Sequence, residues 1–330
     1  MSAATADEVI LDVRDLKVGF TVRAGRLPAV DGVDLTLRRG ETLALVGESG
    51  SGKSALAMAL VGLNRGPRTE IAGTADFHGE NLLTARESRL RRIRGARIAV
   101  VFQDALAALN PLQRAGGQVV EMIRTHHQVP RAEAWRQTAR LFGDVGIASP
   151  ERSVRAYPHE LSGGMRQRVM IALGLANNPE ILIADEPTTA LDVTIQAQVL
   201  QVLRDLQRDH GTAVILITHD LGVVAGVADR IAVMYAGRVV ETGTREQVLF
   251  RPRHPYTRGL LASVPSLTGP VTGRLTAIGG SALTGVDRPP GCAFAPRCDL
   301  AGAGCSAPVP LLRRGTESGH LDACVAGGQP

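Results

Sequence analysis

The feature that most constrains the fold is a short apolar run, Thr42–Val46, followed directly by a glycine-rich stretch at residues 47–54. The apolar run predicts a buried strand of a parallel sheet, and residues 55–63 continue with the apolar spacing of a helix. The glycine-rich stretch reads Gly-Glu-Ser-Gly-Ser-Gly-Lys-Ser, the pattern of a loop whose backbone N–H groups surround phosphates. This order of strand, loop and helix favours a phosphate-binding loop over a glycine-rich turn that binds nothing.

The alternation of strand and helix continues along the chain. Continuous apolar runs predict further buried strands at residues 98–102, 181–184 and 213–217. With a helix predicted at residues 193–209, the alternation indicates an α/β fold built on a parallel sheet. Alternating apolar and polar residues at 9–20 and 33–37 add half-buried antiparallel strands. A helical pattern between about residues 112 and 176 lies inside this alternation as an insertion.

The phosphate loop carries groups that suit a nucleoside triphosphate and its metal ion. The glycines let the backbone curl round the phosphates, and the start of the following helix adds partial positive charge. Lys53 is expected to reach the β- and γ-phosphates, and the Ser54 hydroxyl is expected to bind Mg²⁺. The residues predicted to contact the nucleotide here are Gly47, Glu48, Ser49, Gly50, Ser51, Gly52, Lys53 and Ser54.

An acidic pair, Asp185 and Glu186, follows the predicted strand at residues 181–184. Because parallel strands end beside the phosphate loop, Asp185 is expected to hold Mg²⁺ directly or through water. Glu186 is expected to orient or deprotonate the attacking water. In isolation, Asp-Glu-Pro would be interpreted only as the end of a strand. The presence of a phosphate loop in the same chain favours the functional interpretation.

The octapeptide at residues 161–168, Leu-Ser-Gly-Gly-Met-Arg-Gln-Arg, begins a further helical run. Ser162 is predicted to cap this helix, while Gly163 and Gly164 leave its first N–H groups bare. The result is a second anion site, which makes sense if it reaches a nucleotide held by another molecule. An ordinary helix cap is the alternative for Ser-Gly-Gly in isolation.

Together, the phosphate loop, the octapeptide and the acidic pair resemble the nucleotide-binding subunit of an ATP-binding-cassette (ABC) protein. The resemblance implies a P-loop NTPase fold with a RecA-like parallel core, an antiparallel β subdomain and an inserted helical subdomain at about residues 104–178. It also implies ATP hydrolysis, with Ser162, Gly163 and Gly164 closing over ATP held by the opposing subunit.

The resemblance assigns further roles that the residues themselves do not reveal. Gln103 would contact Mg²⁺ and the attacking water, and His219 would touch the γ-phosphate. Asp192 would lie on a loop along the dimer seam. Phe20 stands where the family often stacks an aromatic ring on adenine, and a core strand residue is an equal alternative. The implied catalytic residues are Glu186, His219 and Gln103, and the implied Mg²⁺ ligands are Ser54, Gln103 and Asp185.

The composition changes after residue 250, where proline and glycine become frequent and helical periodicity is lost. This change predicts a domain boundary near Arg253, with a cassette at residues 1–253 and an extension at residues 254–330. Residues 253–265 resemble the extension found in ATPase subunits of oligopeptide, dipeptide and nickel importers. Ala105 stands where those subunits usually have proline, which affects the expected contact with the membrane subunit and not catalysis.

The four cysteines, Cys292, Cys298, Cys305 and Cys324, all lie in this extension with the spacing C-x5-C-x6-C-x18-C. In a reducing compartment such a group indicates a metal site before disulfides. The spacing differs from the paired C-x2-C of a zinc ribbon, and four thiolates suit either Zn²⁺ or an iron–sulfur cluster. The importer resemblance favours a structural [4Fe–4S] cluster, with Zn²⁺ and free thiols as alternatives.

The net charge of +5 over 330 residues does not choose between nucleotide, nucleic acid and an anionic membrane surface as partner. No apolar run is long enough to span a bilayer, and residues 1–8 lack the pattern of a secretory signal, so a cytosolic chain is expected. The six arginines at residues 86–97 have no interleaved aromatic residues, which favours a solvated helix face over a nucleic-acid site.

These features predict the ATP-hydrolysing subunit of an importer of di- or oligopeptides, peripheral to the cytoplasmic face of the inner membrane. The expected partners are a homologous ATPase subunit in a heterodimer, two transmembrane permease subunits and, indirectly, an extracytoplasmic substrate-binding protein, without nucleic acid. A nickel importer's ATPase is the nearest alternative. A soluble ABC ATPase acting on nucleic acid and a metal-binding regulatory protein are less favoured, because the chain has one cassette, no heptads and an intact phosphate loop.

Overall fold

A computed structural model gives the fold of the chain. It describes residues 8–187, 193–263, 278–283, 285–286, 288–307, 313–314 and 319–325. The chain divides into two compact units. The first comprises Met1–Val9, Leu37–Thr42 and Ala85–Ile217, and the second comprises Ile10–Thr36, Leu43–Thr84 and Thr218–Pro330. The boundary proposed at residue 253 stays a prediction.

Strands and helices alternate through most of the chain. The strands are β1 (Val9–Val22), β2 (Gly25–Arg38), β3 (Thr42–Val46), β4 (Thr69–Phe77), β5 (Glu80–Asn81), β6 (Ile98–Val101), β7 (Ile181–Asp185), β8 (Ala213–Thr218), β9 (Arg230–Tyr235), β10 (Arg238–Thr244), β11 (Arg313–Arg314) and β12 (Leu321–Asp322). The α-helices are α1 (Lys53–Leu60), α2 (Glu87–Ile93), α3 (Ala105–Ala108), α4 (Ala115–His126), α5 (Arg131–Asp144), α6 (Pro150–Ser153), α7 (Gly163–Leu175), α8 (Val193–His210), α9 (Leu221–Val227), α10 (Arg245–Phe250) and α11 (Pro255–Ala262). No described helix is both long and apolar enough to cross a membrane.

The sheet of the first unit brings together the strand ends that carry polar residues. Strands β6, β7 and β8 are parallel, with Val101 opposite Ala184 and Ala184 opposite Leu216. All residues of β7 and β8 are buried, as is typical of strands covered on both faces. Because the strands end level with one another, the residues that follow β6 and β7 share one edge of the sheet.

Helices α4, α5 and α7 pack on one another and form the helical part of the first unit. Their apolar faces meet in one core cluster that includes Val119, Phe142 and Val169, each with no exposed surface. Helix α7 also lies against the sheet. A Cβ atom added at Gly174 would lie 3.1 Å from Val101 and 3.2 Å from Leu182, so the helix approaches the strands very closely. The predicted α/β fold with inserted helices is confirmed.

The second unit contains the antiparallel strands. One sheet has the order β2-β1-β4-β5. Its β1–β4 pairing is interrupted between Arg14 and Lys17, where Asp15 adopts a positive φ of 44°. In a second group, β3 pairs in parallel with β9, and antiparallel pairs continue from β9 to β10, β12 and β11. This group positions the loop that follows β3.

The extension packs its aromatic side chains into the core of the second unit. Tyr256 of α11 is fully buried, and its ring centroid lies 4.6 Å from that of Tyr235 in β9. The ring of Phe294 lies 5.3 Å from both of these rings. Three aromatic rings from distant parts of the chain therefore form one cluster beside β9.

A buried carboxylate joins the extension to β10. Glu241 has no exposed surface, and its two oxygens accept hydrogen bonds from the backbone N–H groups of Arg253 and His254, each at 2.9 Å. The Nε2 atom of the equally buried His320 lies 2.8 Å from the Glu241 carboxylate. A buried charge needs several polar partners to offset its lost hydration, and here the extension supplies them.

Candidate active site

The loop between β3 and α1 has the conformation that its glycines allow. Gly47 has φ 155° and Gly52 has φ 103°, both in a region that other residues avoid. A Cβ atom at Gly47 would collide with the backbone carbonyl oxygen of Met234, and one at Gly52 would collide with that of Ala29. The chain can turn so tightly here only because these two positions lack side chains.

Lys53 stabilises the loop from inside. Its side chain is 5% exposed, and its ammonium group donates to the carbonyl oxygens of Gly47 at 2.7 Å and Glu48 at 2.9 Å and to the Ser51 hydroxyl at 3.2 Å. Ser49, Gly50 and Ser54 are exposed, and the N-terminal N–H groups of α1 have no side-chain cap. A buried cation under a curled backbone and an uncapped helix start together suit a polyanionic ligand.

Gln103, Asp185 and Glu186 lie at the carboxyl edge of the first unit's sheet. Asp185 is the last residue of β7 and is 6% exposed. The side-chain amide of Gln103 donates a hydrogen bond of 2.9 Å to the Glu186 carboxylate. The backbone N–H of Glu186 donates to the carbonyl oxygen of Ile217 at 2.9 Å, and Glu186 has a positive φ of 48°. The structure therefore brings Gln103 and Glu186 into direct contact.

The octapeptide begins α7 as predicted. The Ser162 hydroxyl accepts a hydrogen bond from the Met165 backbone N–H at 3.3 Å, which makes Ser162 the N-cap of the helix. Gly163 and Gly164 are the first helical residues, and a Cβ atom at Gly163 would meet nothing within 4 Å. The helix start is therefore open enough for another molecule to approach its N–H groups.

His219 directly follows β8 and is exposed. The next residue, Asp220, caps α9 by accepting hydrogen bonds from the N–H groups of Gly222 and Val223. Asp220 also donates its own N–H to the Thr218 hydroxyl at 3.0 Å. The turn that carries His219 is therefore fixed on its C-terminal side.

The remaining nucleotide residues differ in what the structure offers. Phe20 is a half-buried residue of β1 opposite Thr69, and its stacking role stays a prediction. Asp192 lies outside the described residues. The phosphate loop and His219 belong to the second unit, whereas Gln103, Asp185, Glu186 and Ser162 belong to the first.

The predicted iron–sulfur cluster is wrong. The four cysteines Cys292, Cys298, Cys305 and Cys324 form no disulfide. Within the described part of the chain, no three histidine, cysteine or acidic side chains converge on a point where a metal ion could bind, which also leaves the Zn²⁺ alternative without a site. Burial raises the pKa of the Cys298 thiol, and the neighbouring Cys292 and Cys305 act in the same direction.

Glu48, the residue after the first loop glycine, has partners that the sequence does not reveal. Its backbone N–H donates to the Tyr256 hydroxyl at 2.8 Å. Its carboxylate accepts two hydrogen bonds from the Arg297 guanidinium, at 2.7 and 3.0 Å. These partners lie 208 and 249 residues away in the chain, so no local pattern could have identified them.

Two family models and several known proteins are similar to this chain. Residues 30–189 match the family model described as ABC transporter, and residues 240–305 match the model described as oligopeptide/dipeptide transporter, C-terminal region. The chain is 48% identical to the oligopeptide transport ATP-binding protein OppD of Bacillus subtilis over 88% of this chain and 82% of that protein. It is 46% identical to OppD of Salmonella typhimurium over 96% of this chain and 93% of that protein.

Solved structures with the same fold cover about three quarters of the chain. A dimeric post-hydrolysis state of the ATP-binding cassette MJ0796, bound to ADP and Pi, superimposes with a TM-score of 0.65 at 27% identity, over 71% of this chain and 98% of that chain. The structure of cbiO1 from Clostridium perfringens, part of the ABC transporter complex cbiONQ, gives a TM-score of 0.62 at 28% identity, over 74% of this chain and 92% of that chain.

Proposed function

This chain belongs to the family of ATP-binding subunits of ABC transporters, and from that premise we propose that it hydrolyses ATP to drive the uptake of di- or oligopeptides. The match of residues 240–305 to the C-terminal region of oligopeptide and dipeptide transporters carries the choice of substrate. The relatives named above transport oligopeptides, so a nickel importer is not favoured.

The phosphate loop binds the triphosphate of ATP. Its curled backbone and the uncapped start of α1 offer N–H groups to the phosphate oxygens. Lys53, which in the structure donates to carbonyl oxygens of Gly47 and Glu48, supplies the positive charge for the β- and γ-phosphates. Phe20 stacks on the adenine ring.

Mg²⁺ suits the oxygen-bearing side chains that the chain offers. The exposed Ser54 hydroxyl, the Gln103 amide oxygen and the buried Asp185 carboxylate are hard donors of the kind that Mg²⁺ prefers. When bound with ATP, Mg²⁺ would neutralise charge that develops on the phosphates. Asp185 comes from a buried strand, so its position is set by the sheet.

Glu186 is the general base for the attacking water. Its carboxylate accepts the hydrogen bond from Gln103, which orients the side chain, and a carboxylate is a group that can take the proton of a water molecule. The positive φ of Glu186 is a costly conformation for a residue with a side chain, and such angles cluster at functional sites. His219, at the end of β8, contacts the γ-phosphate.

Ser162, Gly163 and Gly164 bind ATP held by an opposing subunit. The open start of α7 lies at the end of a helix whose body is buried in the helical core, so it is a rigid donor surface. The opposing subunit is a homologous ATPase, and two permease subunits and a substrate-binding protein complete the importer. The chain is peripheral to the cytoplasmic face of the membrane.

Glu186→Gln tests the catalytic assignment. The amide oxygen of the replacement can still accept the hydrogen bond from Gln103, but it cannot take a proton from water. Turnover should fall at least about 100-fold, because a general base contributes about 10²–10⁴-fold, while MgATP binding is retained. The exposed Glu151 of α6 offers the matched control Glu151→Gln, which should hydrolyse ATP as the unchanged chain does. Near-normal hydrolysis by Glu186→Gln would contradict the assignment.

Substrate choice is tested with the complete importer in vesicles. ATP hydrolysis should rise when di- or oligopeptides and the binding protein are present, and should not rise with nickel ions. Stimulation by nickel and not by peptides would reverse the choice, and would leave the ATPase assignment intact.

A further inference from the structure

Glu48 is held at three points, although it occupies a variable position of the phosphate loop. Its N–H donates to Tyr256, its carbonyl oxygen accepts from Lys53 at 2.9 Å, and its carboxylate binds Arg297 through two hydrogen bonds. The Glu48 side chain is 28% exposed, so it lies partly within the protein. Such a residue cannot move without breaking several bonds at once.

Arg297 is itself tightly fixed. Its side chain is 5% exposed, and its Nε donates to the carbonyl oxygen of Gly279 at 2.7 Å. The guanidinium lies over the rings of Tyr235 and Phe294, at 5.8 and 5.9 Å from their centroids. The hydrogen bonds that Arg297 donates to Glu48 raise the pKa of the guanidinium further above its usual range, so Arg297 stays charged. The planar guanidinium can donate two parallel hydrogen bonds to one carboxylate, which the ammonium group of lysine cannot do.

Tyr256 holds the other side of Glu48. The side chain has no exposed surface, and burial raises its pKa, so the hydroxyl stays neutral. Its oxygen accepts the hydrogen bond from the Glu48 backbone, while its ring packs against Tyr235 and Phe294. Tyr256 and Arg297, the two partners of Glu48 that lie in the extension, therefore both contact the rings of Tyr235 and Phe294.

We propose that Arg297 and Tyr256 are positioning residues, through which the C-terminal extension keeps the phosphate loop in its ATP-binding conformation. The inference rests on the proposed role of this loop in binding ATP. A loop that is already ordered binds without the entropic cost of ordering on contact. In a loop that visits other conformations, the apparent Kd rises as the inverse of the fraction of time spent in the binding conformation. ATP affinity, not the chemical step, should therefore depend on the extension.

Arg297→Met in the full chain tests the role of the ion pair. It keeps the apolar stem and removes the charge. Because one partner of a charged hydrogen bond is lost, we expect the Kd for MgATP and the KM to rise about tenfold, with kcat little changed. Arg297→Lys keeps the charge but cannot donate two parallel hydrogen bonds to one carboxylate. Its KM should lie between those of the unchanged chain and Arg297→Met. The exposed Arg258 of α11 gives the matched control Arg258→Met, with unchanged KM.

A double-substitution cycle with Glu48→Gln separates positioning from general weakening. Each single change should raise the KM by a similar factor, and the pair together should be no worse than either, since both act through one interaction. If the KM increases of the two single variants multiply in the double variant, the proposal is overturned. A lowered melting temperature with unchanged KM would also overturn it, because that result describes a purely structural contact.

Two further variants keep every outcome informative. If Arg297→Met does not fold, Tyr256→Phe removes only one oxygen atom from the cluster and should still raise the KM several-fold, since it leaves the Glu48 N–H without its acceptor. An unchanged KM there would overturn the proposal. Lys53→Ala tests the loop itself: if it binds MgATP normally, the proposed function fails. If Lys53→Ala fails to bind MgATP and Arg297→Met binds MgATP normally, only the positioning role fails.

Discussion

At the scale of single residues, backbone angles that most side chains avoid mark both the acidic strand end and the phosphate loop. Glu186 has φ 48° directly after a buried strand, at a cost of order 1–3 kcal/mol. Gly47 has φ 155° directly after another buried strand, where only the absence of a side chain permits it. The backbone N–H of Glu186 donates to the carbonyl oxygen of Ile217 in β8, a hydrogen bond that helps to hold this angle.

Gly47→Ala should abolish MgATP binding. The new methyl group would collide with the carbonyl oxygen of Met234, and the loop must change its path to avoid it. We expect the Kd for MgATP to rise at least about 100-fold, because misplaced backbone donors lose several hydrogen bonds to phosphate. Equilibrium titration with a fluorescent ATP analogue measures this. In the exposed Gly66, a Cβ atom meets nothing within 4 Å, so Gly66→Ala should bind normally. Normal binding by Gly47→Ala would show that the loop can bind along another path.

At the scale of elements, helix α7 links the open helix start to the sheet that carries Asp185. Helical periodicity predicted α7, and Ser162 predicted where it begins. The close approach at Gly174 was not predictable, because a single glycine within a helical pattern does not say which neighbour it faces. The importer resemblance misled in the extension, since the presence of four cysteines does not tell whether their side chains converge on one point, and in the described part of the chain they do not.

Gly174→Leu should destabilise the first unit by about 1–3 kcal/mol, the usual cost of forcing a larger side chain into a packed contact. Val101 and Leu182 leave no room for it unless α7 moves from the sheet. Urea unfolding followed by Trp135 fluorescence measures the loss. Gly117 of α4 is the matched position, since only Arg114 lies near, at 4.0 Å. Equal free energies of unfolding for Gly174→Leu and Gly117→Leu would mean that the contact at Gly174 can accommodate a larger side chain without cost.

At the scale of the whole molecule, the sequence predicted the parallel core better than the parts that join distant segments. The runs around Thr42–Val46, Ile181–Asp185 and Ala213–Thr218 were predicted because buried parallel strands are continuously apolar. Strands β9 and β10 were not predicted. The contacts of Glu48 could not be predicted, because they depend on how residues more than 200 positions apart pack, which local pattern does not encode.

His254 should make the stability of the chain depend on pH. Burial lowers its pKa to about 4 in the folded chain, from 6.5 for the ordinary group. Between these values the unfolded chain binds more protons, so the free energy of unfolding should fall by about 2 kcal/mol from pH 7.5 to pH 5 on account of this residue. His254→Asn keeps an acceptor at the start of α11 and should remove that part of the decline. The measurement is urea unfolding by circular dichroism at both pH values, and identical pH dependence of the two proteins would contradict the prediction.

The buried carboxylate of Glu241 has a consequence for the order in which the protein can be completed during synthesis. Arg253 and His254 reach it soon after β10 is made, but His320 is made 79 residues after Glu241 itself. Until then, the carboxylate lacks a partner that it has in the finished fold, and an incompletely paired buried charge is costly. A nascent chain, or one cut short by a premature stop codon after the last catalytic motif, would carry every residue of the site and still expose an unfinished core to proteases.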